Sequence, residues 1–196
     1  MNSLFIFRLD LRLKDNTGLI ECVKNSKNSY ICFIFEPKQI DRSKNDYFSD
    51  NCVQFMVESL RELHSLSSNK LMFFYGDTPK VVEELIKNLK LDNVYLNKDY
   101  TPFSIDRDSN IEKICKNLNC KLNSFDDLLL NSIDEPRKDD GDPYSTFTSY
   151  LNKAVKLDVS PPDDYNVKSK LKTAKNLKYQ ISMEKLSDFY NKNEKI

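Results

Sequence analysis

The sequence predicts a doubly wound α/β domain built on a five-stranded parallel sheet. Short apolar runs, rich in β-branched and aromatic residues, alternate along the chain with segments of helical periodicity. Most of these runs lack polar alternation, which indicates strands that are covered on both faces. Alternation of such strands with helices is typical of a parallel sheet that carries helices on either side.

Five runs are predicted to form the strands of this sheet. They are short enough for strands, and segments with helical stripes separate the first four from one another. They cover residues 4–7 (LFIF), 30–35 (YICFIF), 71–75 (LMFFY), 94–96 (VYL) and 120–125 (CKLNSF).

Capping residues and apolar stripes predict the helices between the strands. A fourth helix is expected to carry Ile111, Ile114 and Leu118, and a fifth is expected after Pro143. For the first three helices, the predicted N-caps are Asp15 or Asn16, then Ser49 or Asp50, then Thr78, which Pro79 follows at a favoured helical position.

The organisation of the chain changes near residue 157, so we predict a domain over residues 1–157 and a linker-like basic tail over 158–196. Residues 165–196 contain eight lysines against three acidic residues. A short amphipathic helix is predicted at 182–190. Five lysines at 167–178 could contact DNA phosphates, but a solvated linker is the interpretation that this composition favours.

Composition excludes several kinds of site. The three glycines are dispersed, so a glycine-rich phosphate loop is excluded. One histidine, His64, excludes multi-histidine metal centres, and we expect it to be hydrogen-bonded beside an apolar stripe. Thirty basic and thirty acidic residues cancel, so no global field attracts DNA or a membrane.

No catalytic or metal-ligand spacing stands out, so neither a catalytic residue nor a metal site is predicted. No apolar run approaches the roughly 20 residues that cross a bilayer, so no membrane association is expected. Five cysteines without a C-x-x-C pair favour a reducing intracellular compartment, cytoplasmic or nuclear.

The candidate ligand site lies where the strands end. Ligands of doubly wound domains bind beyond the carboxyl ends of the strands, near the point where strand order reverses. Residues 8–10, 36–38 and 97–101 are predicted to border that crevice. Phe33 and Phe35, two residues apart on one strand, could wall a planar ligand, or both could be ordinary core residues.

Two polar segments at this edge allow a binding role or a structural one. In FRLDLRLKDN (7–16), Arg8 and Asp10 could contact a ligand, or they could form ion pairs at the turn, for instance with Asp108. In the second segment, YLNKDYTPFSIDRD (95–108), Asp99 and Thr101 are expected to face the crevice.

These motifs, in this order, resemble the N-terminal α/β domain of the DNA photolyase/cryptochrome family, a Rossmann-like domain. That family opens with a strand followed by F-R-R-D-L-R-L-x-D-N, which residues 7–16 resemble. YFSDNCVQFMVESLREL at 47–63 is similar to a segment of one branch of the family. FFYGDTPKVVEEL, NKDYTPFSIDRD and GDPYSTFTSYL are also similar to family patterns.

The resemblance implies a light-harvesting domain that binds an antenna chromophore, which is a deazaflavin, a folate or a flavin, and passes energy to FAD. The residues at positions of the family's chromophore pocket are Arg8, Phe33, Phe35, Glu36, Pro37, Asp99 and Thr101.

The family's catalytic domain, which binds FAD and carries the photoreduction tryptophans, has no counterpart in these 196 residues, and the chain has no tryptophan. Neither FAD binding nor lyase activity is therefore expected of this chain alone. The resemblance implies a split or truncated photolyase that needs a separately encoded FAD-binding domain as partner and reaches DNA only through it.

Departures from the family pattern leave a second interpretation open. Leu9 stands where a polar or basic residue is usual, Thr101 where many members have a glutamate that binds chromophore, and Ser149 where the pattern has proline. A degenerate or stand-alone doubly wound binding module without catalytic activity would also carry such changes.

Overall fold

The structure, a computed structural model that describes residues 1–195, contains a central sheet with helices on both faces. The strands are β1 (Asn2–Phe7), β2 (Asn28–Phe35), β3 (Leu71–Tyr75), β4 (Asn93–Asn97), β5 (Lys121–Phe125), β6 (Leu171–Lys172) and β7 (Gln180–Ile181). The helices are α1 (Thr17–Lys24), α2 (Pro37–Ile40), α3 (Asp50–Leu66), α4 (Thr78–Leu89), α5 (Pro102–Asn117) and α6 (Phe147–Ala154), with 3₁₀ turns at Val167–Lys170 and Glu184–Phe189.

The strand order confirms the predicted doubly wound architecture. The order is β5-β4-β1-β2-β3-β7, and β1 to β5 pair in parallel. It reverses at β1, because the chain adds β2 and β3 on one side before it crosses to β4 and β5 on the other. The tail adds two short strands that the sequence pattern does not predict: β6 pairs in parallel with the start of β2, and β7 antiparallel with β3.

Both faces of β1 to β4 are mostly buried, which explains their continuous apolar sequences, whereas the edge strand β5 is partly exposed. On β1, Phe5 and Phe7 belong to the core cluster that includes α1 and α3. Leu4 and Ile6 belong to the cluster that includes α4 and α5. Side chains along each strand therefore alternate between two apolar layers.

The first two predicted helix starts agree with the structure. Asn16 is the N-cap of α1, and its side chain accepts a hydrogen bond from the backbone nitrogen of Leu19 at 3.1 Å. Ser49 is the N-cap of α3, without a capping hydrogen bond from its side chain.

The predicted cap of the next helix, Thr78, is wrong. Asp77 caps α4 by accepting a hydrogen bond from the backbone nitrogen of Lys80 at 3.3 Å. Thr78 is the first helical residue, and its hydroxyl and backbone N–H both donate to Glu36. The Thr78 hydroxyl is thus directed to Glu36, which directly follows β2, and not to the backbone of its own helix.

The tail packs along the domain. The Lys170 ammonium donates to the carbonyl oxygen of Val23 at 3.0 Å, which satisfies one acceptor at the end of α1. The side-chain amide of buried Gln54 exchanges two hydrogen bonds with the backbone of Asn193, at 2.8 and 3.2 Å. The domain boundary between residues 157 and 158 stays a prediction.

The amphipathic helix expected at 182–190 is a 3₁₀ turn in the structure, Glu184–Phe189. Leu186 is its only buried residue, and the Phe189 ring packs against Phe35 and Tyr75, with centroids 4.9 and 5.6 Å apart. Two contacting side chains, Leu186 and Phe189, are enough to hold a short 3₁₀ turn, whereas an amphipathic α-helix would bury a longer apolar stripe. Among residues 1–195, no helix is both long enough and apolar enough to cross a membrane.

A buried polar network joins the ends of β1 and β4 to the start of α1. The Asp10 carboxylate accepts hydrogen bonds from the backbone N–H of Arg8 at 3.2 Å and from the side-chain amides of Asn16 and Asn97. The Asn97 oxygen in turn accepts from the backbone nitrogen of Gly18 at 3.0 Å. Asp10, Asn16 and Asn97 are each 5% exposed or less, so these bonds replace water completely. We call these three residues the polar hub.

The hub leaves no space for a side chain at Gly18. A Cβ atom there would lie 2.4 Å from Oδ1 of Asn97 and 2.9 Å from a ring carbon of Phe5. Alanine has the higher helix propensity by about 1 kcal/mol, but overpacking costs about 1–3 kcal/mol and the hydrogen bond to Asn97 would also be displaced.

We therefore expect Gly18→Ala to lower the free energy of unfolding by about 1–2 kcal/mol in urea denaturation. The matched control is Thr17→Ala at the exposed neighbouring position, which should change it by less than about 0.5 kcal/mol. An alanine variant at Gly18 as stable as the wild type would contradict the close approach to Asn97.

Candidate functional site

A cavity of about 260 Å³ lies at the carboxyl ends of β1, β2 and β4. This is the edge at which doubly wound domains bind ligands. Its walls are mostly apolar, which suits a planar ring more than a charged metabolite. The apolar lining residues include Ile6, Phe7, Phe33, Phe35 and Leu96 from the strands, and Val53, Met56 and Ile111 from α3 and α5.

The two phenylalanines at the end of β2 contribute both to the core and to the cavity wall. Phe33 and Phe35 line the cavity, and they also belong to the core, with exposures of 8% and 1%. Their rings meet edge to face, with centroids 4.9 Å apart. Because Phe35 also packs against Phe189 from the tail, the aromatic wall is held from behind.

Arg8 lines the cavity and ties three elements together. One guanidinium nitrogen contacts the Asp108 carboxylate on α5 at 2.6 Å, and another donates to the carbonyl oxygen of Asn97 on β4. The pairing of Arg8 with Asp108 is the structural role that the sequence analysis left open for residues 7–16. The side chain is 10% exposed, so this ion pair is better shielded from solvent than a surface pair.

Asp99 lies just after β4 and also lines the cavity. Its carboxylate accepts hydrogen bonds from the Ser104 hydroxyl at 2.7 Å and from the backbone nitrogen of Thr101 at 3.1 Å. Partial burial alone would raise the pKa of Asp99, but these hydrogen bonds outweigh it and hold the pKa below its usual value. The cavity therefore has a carboxylate at neutral pH.

Glu36 directly follows β2 at the cavity wall and is the N-cap of α2. Its Oε2 atom accepts two hydrogen bonds from Thr78, one from the backbone nitrogen and one from the hydroxyl, both at 2.8 Å. Glu36 is 5% exposed, so its side chain is fixed between β2 and the start of α4.

Arg107 is a cavity residue that the sequence analysis missed. Its guanidinium donates to the Ser104 hydroxyl at 3.1 Å and lies 3.4 Å from Asp108, which it shares with Arg8. Burial and the neighbouring Arg8 charge lower the pKa of Arg107. A signal existed in the sequence, because Arg107 lies four residues before the predicted core residue Ile111 and therefore on the same helical stripe.

Two predicted site residues do not line the main cavity. Thr101 is exposed and is the N-cap of α5, so its hydroxyl accepts from the backbone nitrogen of Ser104; it lies on the outer rim with Asp99. Pro37 starts α2 beside Glu36 and positions that turn.

The ring nitrogen Nδ1 of His64 is 2.9 Å from the carbonyl oxygen of Leu71, and His64 does not line the cavity, as expected for a structural histidine. Within residues 1–195, no group of three or more His, Cys, Asp or Glu side chains could hold a metal ion.

Comparisons with known proteins agree with this architecture. A family model described as DNA photolyase matches residues 3–166. The chain is 27% identical over 144 residues to a deoxyribodipyrimidine photo-lyase of a Synechococcus species, a match that covers 74% of this chain and 30% of that protein.

Two solved structures are similar in fold. An archaeal photolyase from Sulfolobus tokodaii has a TM-score of 0.84 at 31% identity, covering 97% of this chain and 42% of that one. It is described as containing two FAD molecules, with the implication of a novel light-harvesting cofactor. A Synechocystis cryptochrome has a TM-score of 0.80 at 20% identity, covering 98% of this chain and 41% of that one. The chain thus spans less than half the length of each of these three proteins.

The pKa of Asp99 can be tested directly. Ser104→Ala removes the hydrogen bond that favours the ionised carboxylate, so the pKa of Asp99 should rise. An NMR titration that follows the Asp99 side-chain carbon measures this pKa. Ser109→Ala, at an exposed position on the same helix, is the control and should leave it unchanged. An unchanged or lower pKa in Ser104→Ala would show that the hydroxyl does not stabilise the charge.

Proposed function

Because the chain belongs to the DNA photolyase family, we propose that it is a light-harvesting domain that binds an antenna chromophore in the cavity at the carboxyl edge of its sheet. Light-driven repair of pyrimidine dimers is then proposed only for the assembly of this domain with an FAD-binding region. The chain alone is proposed to have no lyase activity.

The cavity is the observation that carries this proposal. It combines apolar walls with three buried polar groups, the side chains of Arg8, Glu36 and Arg107. Apolar walls favour a flat aromatic ring, and a few fixed polar groups orient it. A catalytic role for the cavity has less support, because His64, the one histidine of the sequence, does not line it.

Among antenna chromophores, a flavin-type tricyclic ring is the class that we propose, with a deazaflavin as the close analogue and a folate as the alternative. When bound, the chromophore supplies absorption of near-UV or blue light and transfer of the excitation energy. The protein's part is to bind and orient the ring. Phe33 and Phe35 pack against it, and the polar side chains of the cavity fix its edge.

The S. tokodaii photolyase supports the flavin-type choice, because its description pairs a second FAD with light harvesting. The threonine at position 101, where many family members have a glutamate that binds chromophore, does not weaken the choice of a flavin-type ring. The carboxylates of Glu36 and Asp99 both line the cavity.

Blocking the cavity should abolish binding. Cys52 is exposed at the cavity mouth, so Cys52→Trp can place an indole in the opening without disturbing the core. We expect riboflavin, followed by its fluorescence, to bind the wild type and to bind this variant at least about tenfold more weakly.

The matched control is Phe55→Trp, which adds the same group on the exposed face of α3, where Phe55 is 73% exposed. Equal affinity in Cys52→Trp would place the ligand outside this cavity. Failure of flavin, deazaflavin and methenyltetrahydrofolate alike to bind the wild type would favour the stand-alone or degenerate module.

The proposed partner is a helical FAD-binding region, fused or separately encoded. The helix α6 has an apolar stripe formed by Phe147, Tyr150, Leu151 and Val155, yet all four are exposed and α6 buries no residue. Leu130, 81% exposed, adds to the apolar surface that precedes this helix. Apolar stripes on amphipathic helices are normally covered, so this surface is suited to a partner.

The partner in turn is proposed to contact DNA, so this chain reaches DNA only indirectly. The free cysteines are consistent with the proposed reducing intracellular compartment.

Charge on the α6 stripe should break the assembly. We expect the wild-type chain to co-elute with a co-expressed FAD-binding photolyase region and to support light-dependent dimer repair. Phe147→Glu should lose both, because a carboxylate would be buried in an apolar contact. Asn152→Glu, off the stripe on the same helix, should retain both. If Phe147→Glu still co-elutes and still supports repair, α6 is excluded as the interface. If the wild-type chain neither co-elutes with the FAD-binding region nor supports repair, the partner proposal is contradicted.

A further inference from the structure

Two of the five cysteines lie at the two ends of one tight turn. Cys115 is in the last turn of α5, and Cys120 directly precedes β5. The backbone nitrogen of Cys120 donates to the carbonyl oxygen of Cys115 at 2.9 Å. Inside this bond, the backbone nitrogen of Asn119, whose φ is 53°, donates to the carbonyl oxygen of Lys116 at 3.3 Å. This pair of bonds is the Schellman motif, in which the side chains at the two ends of the longer bond commonly pack together.

The side chains that meet at this turn are both thiols. Cys115 is 1% exposed and Cys120 is 5% exposed, and both belong to the apolar layer that includes α4 and α5. The Cys115 thiol donates a hydrogen bond to the Cys120 sulfur. A disulfide needs two cysteines whose backbones are close and whose side chains point toward each other. The turn supplies both conditions, so it is compatible with a bond between the two sulfurs.

The two sulfurs are not equivalent. The hydrogen bond from Cys115 lowers the pKa of Cys120, whereas the same bond and burial raise the pKa of Cys115. Because the thiolate is the reactive form of cysteine, Cys120 is the better nucleophile of the two. Cys120 also lies at the start of β5, a partly exposed strand at the edge of the sheet. Local opening costs less at the margin of a domain than at its centre, which gives a small oxidant access to this sulfur.

We propose that Cys115 and Cys120 are a reversible redox site, which forms a disulfide with hydrogen peroxide and thereby staples the end of α5 to the start of β5. This site is separate from the ligand cavity, which neither cysteine lines. It requires neither a chromophore nor an FAD-binding partner.

The reaction has two steps. The Cys120 thiolate attacks one oxygen of the peroxide, the O–O bond breaks, and Cys120 becomes a sulfenic acid while the released hydroxide takes up a proton. The Cys115 sulfur then attacks the Cys120 sulfur, the S–O bond breaks, and the hydroxide leaves as water with the Cys115 proton. Two thiols are oxidised and one peroxide is reduced, which gives one disulfide and two water molecules. A dithiol reductant restores both thiols by thiol–disulfide exchange.

The other cysteines provide internal controls. Cys22 and Cys32 are also buried, but they belong to apolar layers on opposite faces of the sheet, so they cannot pair with each other. Cys52 is exposed, and the test protein carries Cys52→Ser, which prevents links between molecules through this thiol.

Peptide mapping tests the pairing. The Cys52→Ser protein is treated with one equivalent of hydrogen peroxide, and free thiols are then alkylated under denaturing conditions. Trypsin cleaves after Lys116, between the two cysteines. We expect peptides 114–116 and 117–121 to be recovered joined, at a mass two hydrogen atoms below their sum, and to separate after dithiothreitol. Cys22 and Cys32 should be recovered alkylated.

Alanine variants test the order of the steps. In Cys115→Ala the sulfenic acid of Cys120 has no resolving thiol, so dimedone should label Cys120. In Cys120→Ala the remaining Cys115 should stay unlabelled. The peptide mapping involves no core substitution, so it decides the pairing even if one of these variants fails to fold.

The staple should also be visible in amide hydrogen exchange. Exchange over residues 117–125 should slow by at least about threefold after oxidation and recover after dithiothreitol, because the disulfide restricts local opening of the turn and of β5. Exchange in β2, on the other side of the sheet centre, should not change.

Recovery of the two peptides unlinked after peroxide overturns the proposal, and so does equal oxidation of Cys22 or Cys32. Dimedone on Cys115 in place of Cys120 overturns the order of the steps, and unchanged exchange over 117–125 overturns the staple. Each of these outcomes leaves the chromophore proposal standing, because the cavity is formed by other residues.

Discussion

The buried carboxylate of Asp10 is the constraint on which the carboxyl edge of the sheet depends. A buried carboxyl group is tolerated only where hydrogen bonds replace its hydration. Here three donors supply them, the backbone N–H of Arg8 and the side-chain amides of Asn16 and Asn97. Because hydrogen bonds are directional, this arrangement fixes the loop after β1 against the end of β4, which apolar contacts alone would leave free to slide.

The position of the cavity follows from that fixation. With its backbone held by Asp10, Arg8 extends to Asp108 and so anchors α5 over the sheet edge. The anchored helix brings Arg107 to the cavity wall, which Glu36 also lines. The side chains of Arg8, Glu36, Asp99 and Arg107 are each held by a hydrogen bond or an ion pair to another residue, which favours orienting a ligand without reorganisation.

The sequence predicted those parts of the fold that depend on neighbouring residues. Short apolar runs marked the five long strands, and Asn16 was named as one of two candidate caps. Contacts between segments that are distant in sequence were not predicted. Strands β6 and β7 have two residues each, too few to show periodicity, and their pairing depends on where the tail crosses the sheet. Thr78 was misassigned because its engagement with Glu36, 42 residues earlier, leaves no local trace.

The same distinction explains the candidate site. Phe33 and Phe35 lie at the end of β2, and Asp99 lies two residues after β4, so topology alone brings them to one edge. Arg107 comes from a helix that the Arg8–Asp108 pair joins to the end of β1, a contact between residues 100 positions apart that no local pattern shows. The cavity is therefore held by contacts within the chain, whereas the stripe residues of α6 are exposed. The proposed ligand cavity and the proposed docking stripe thus consist of separate residues.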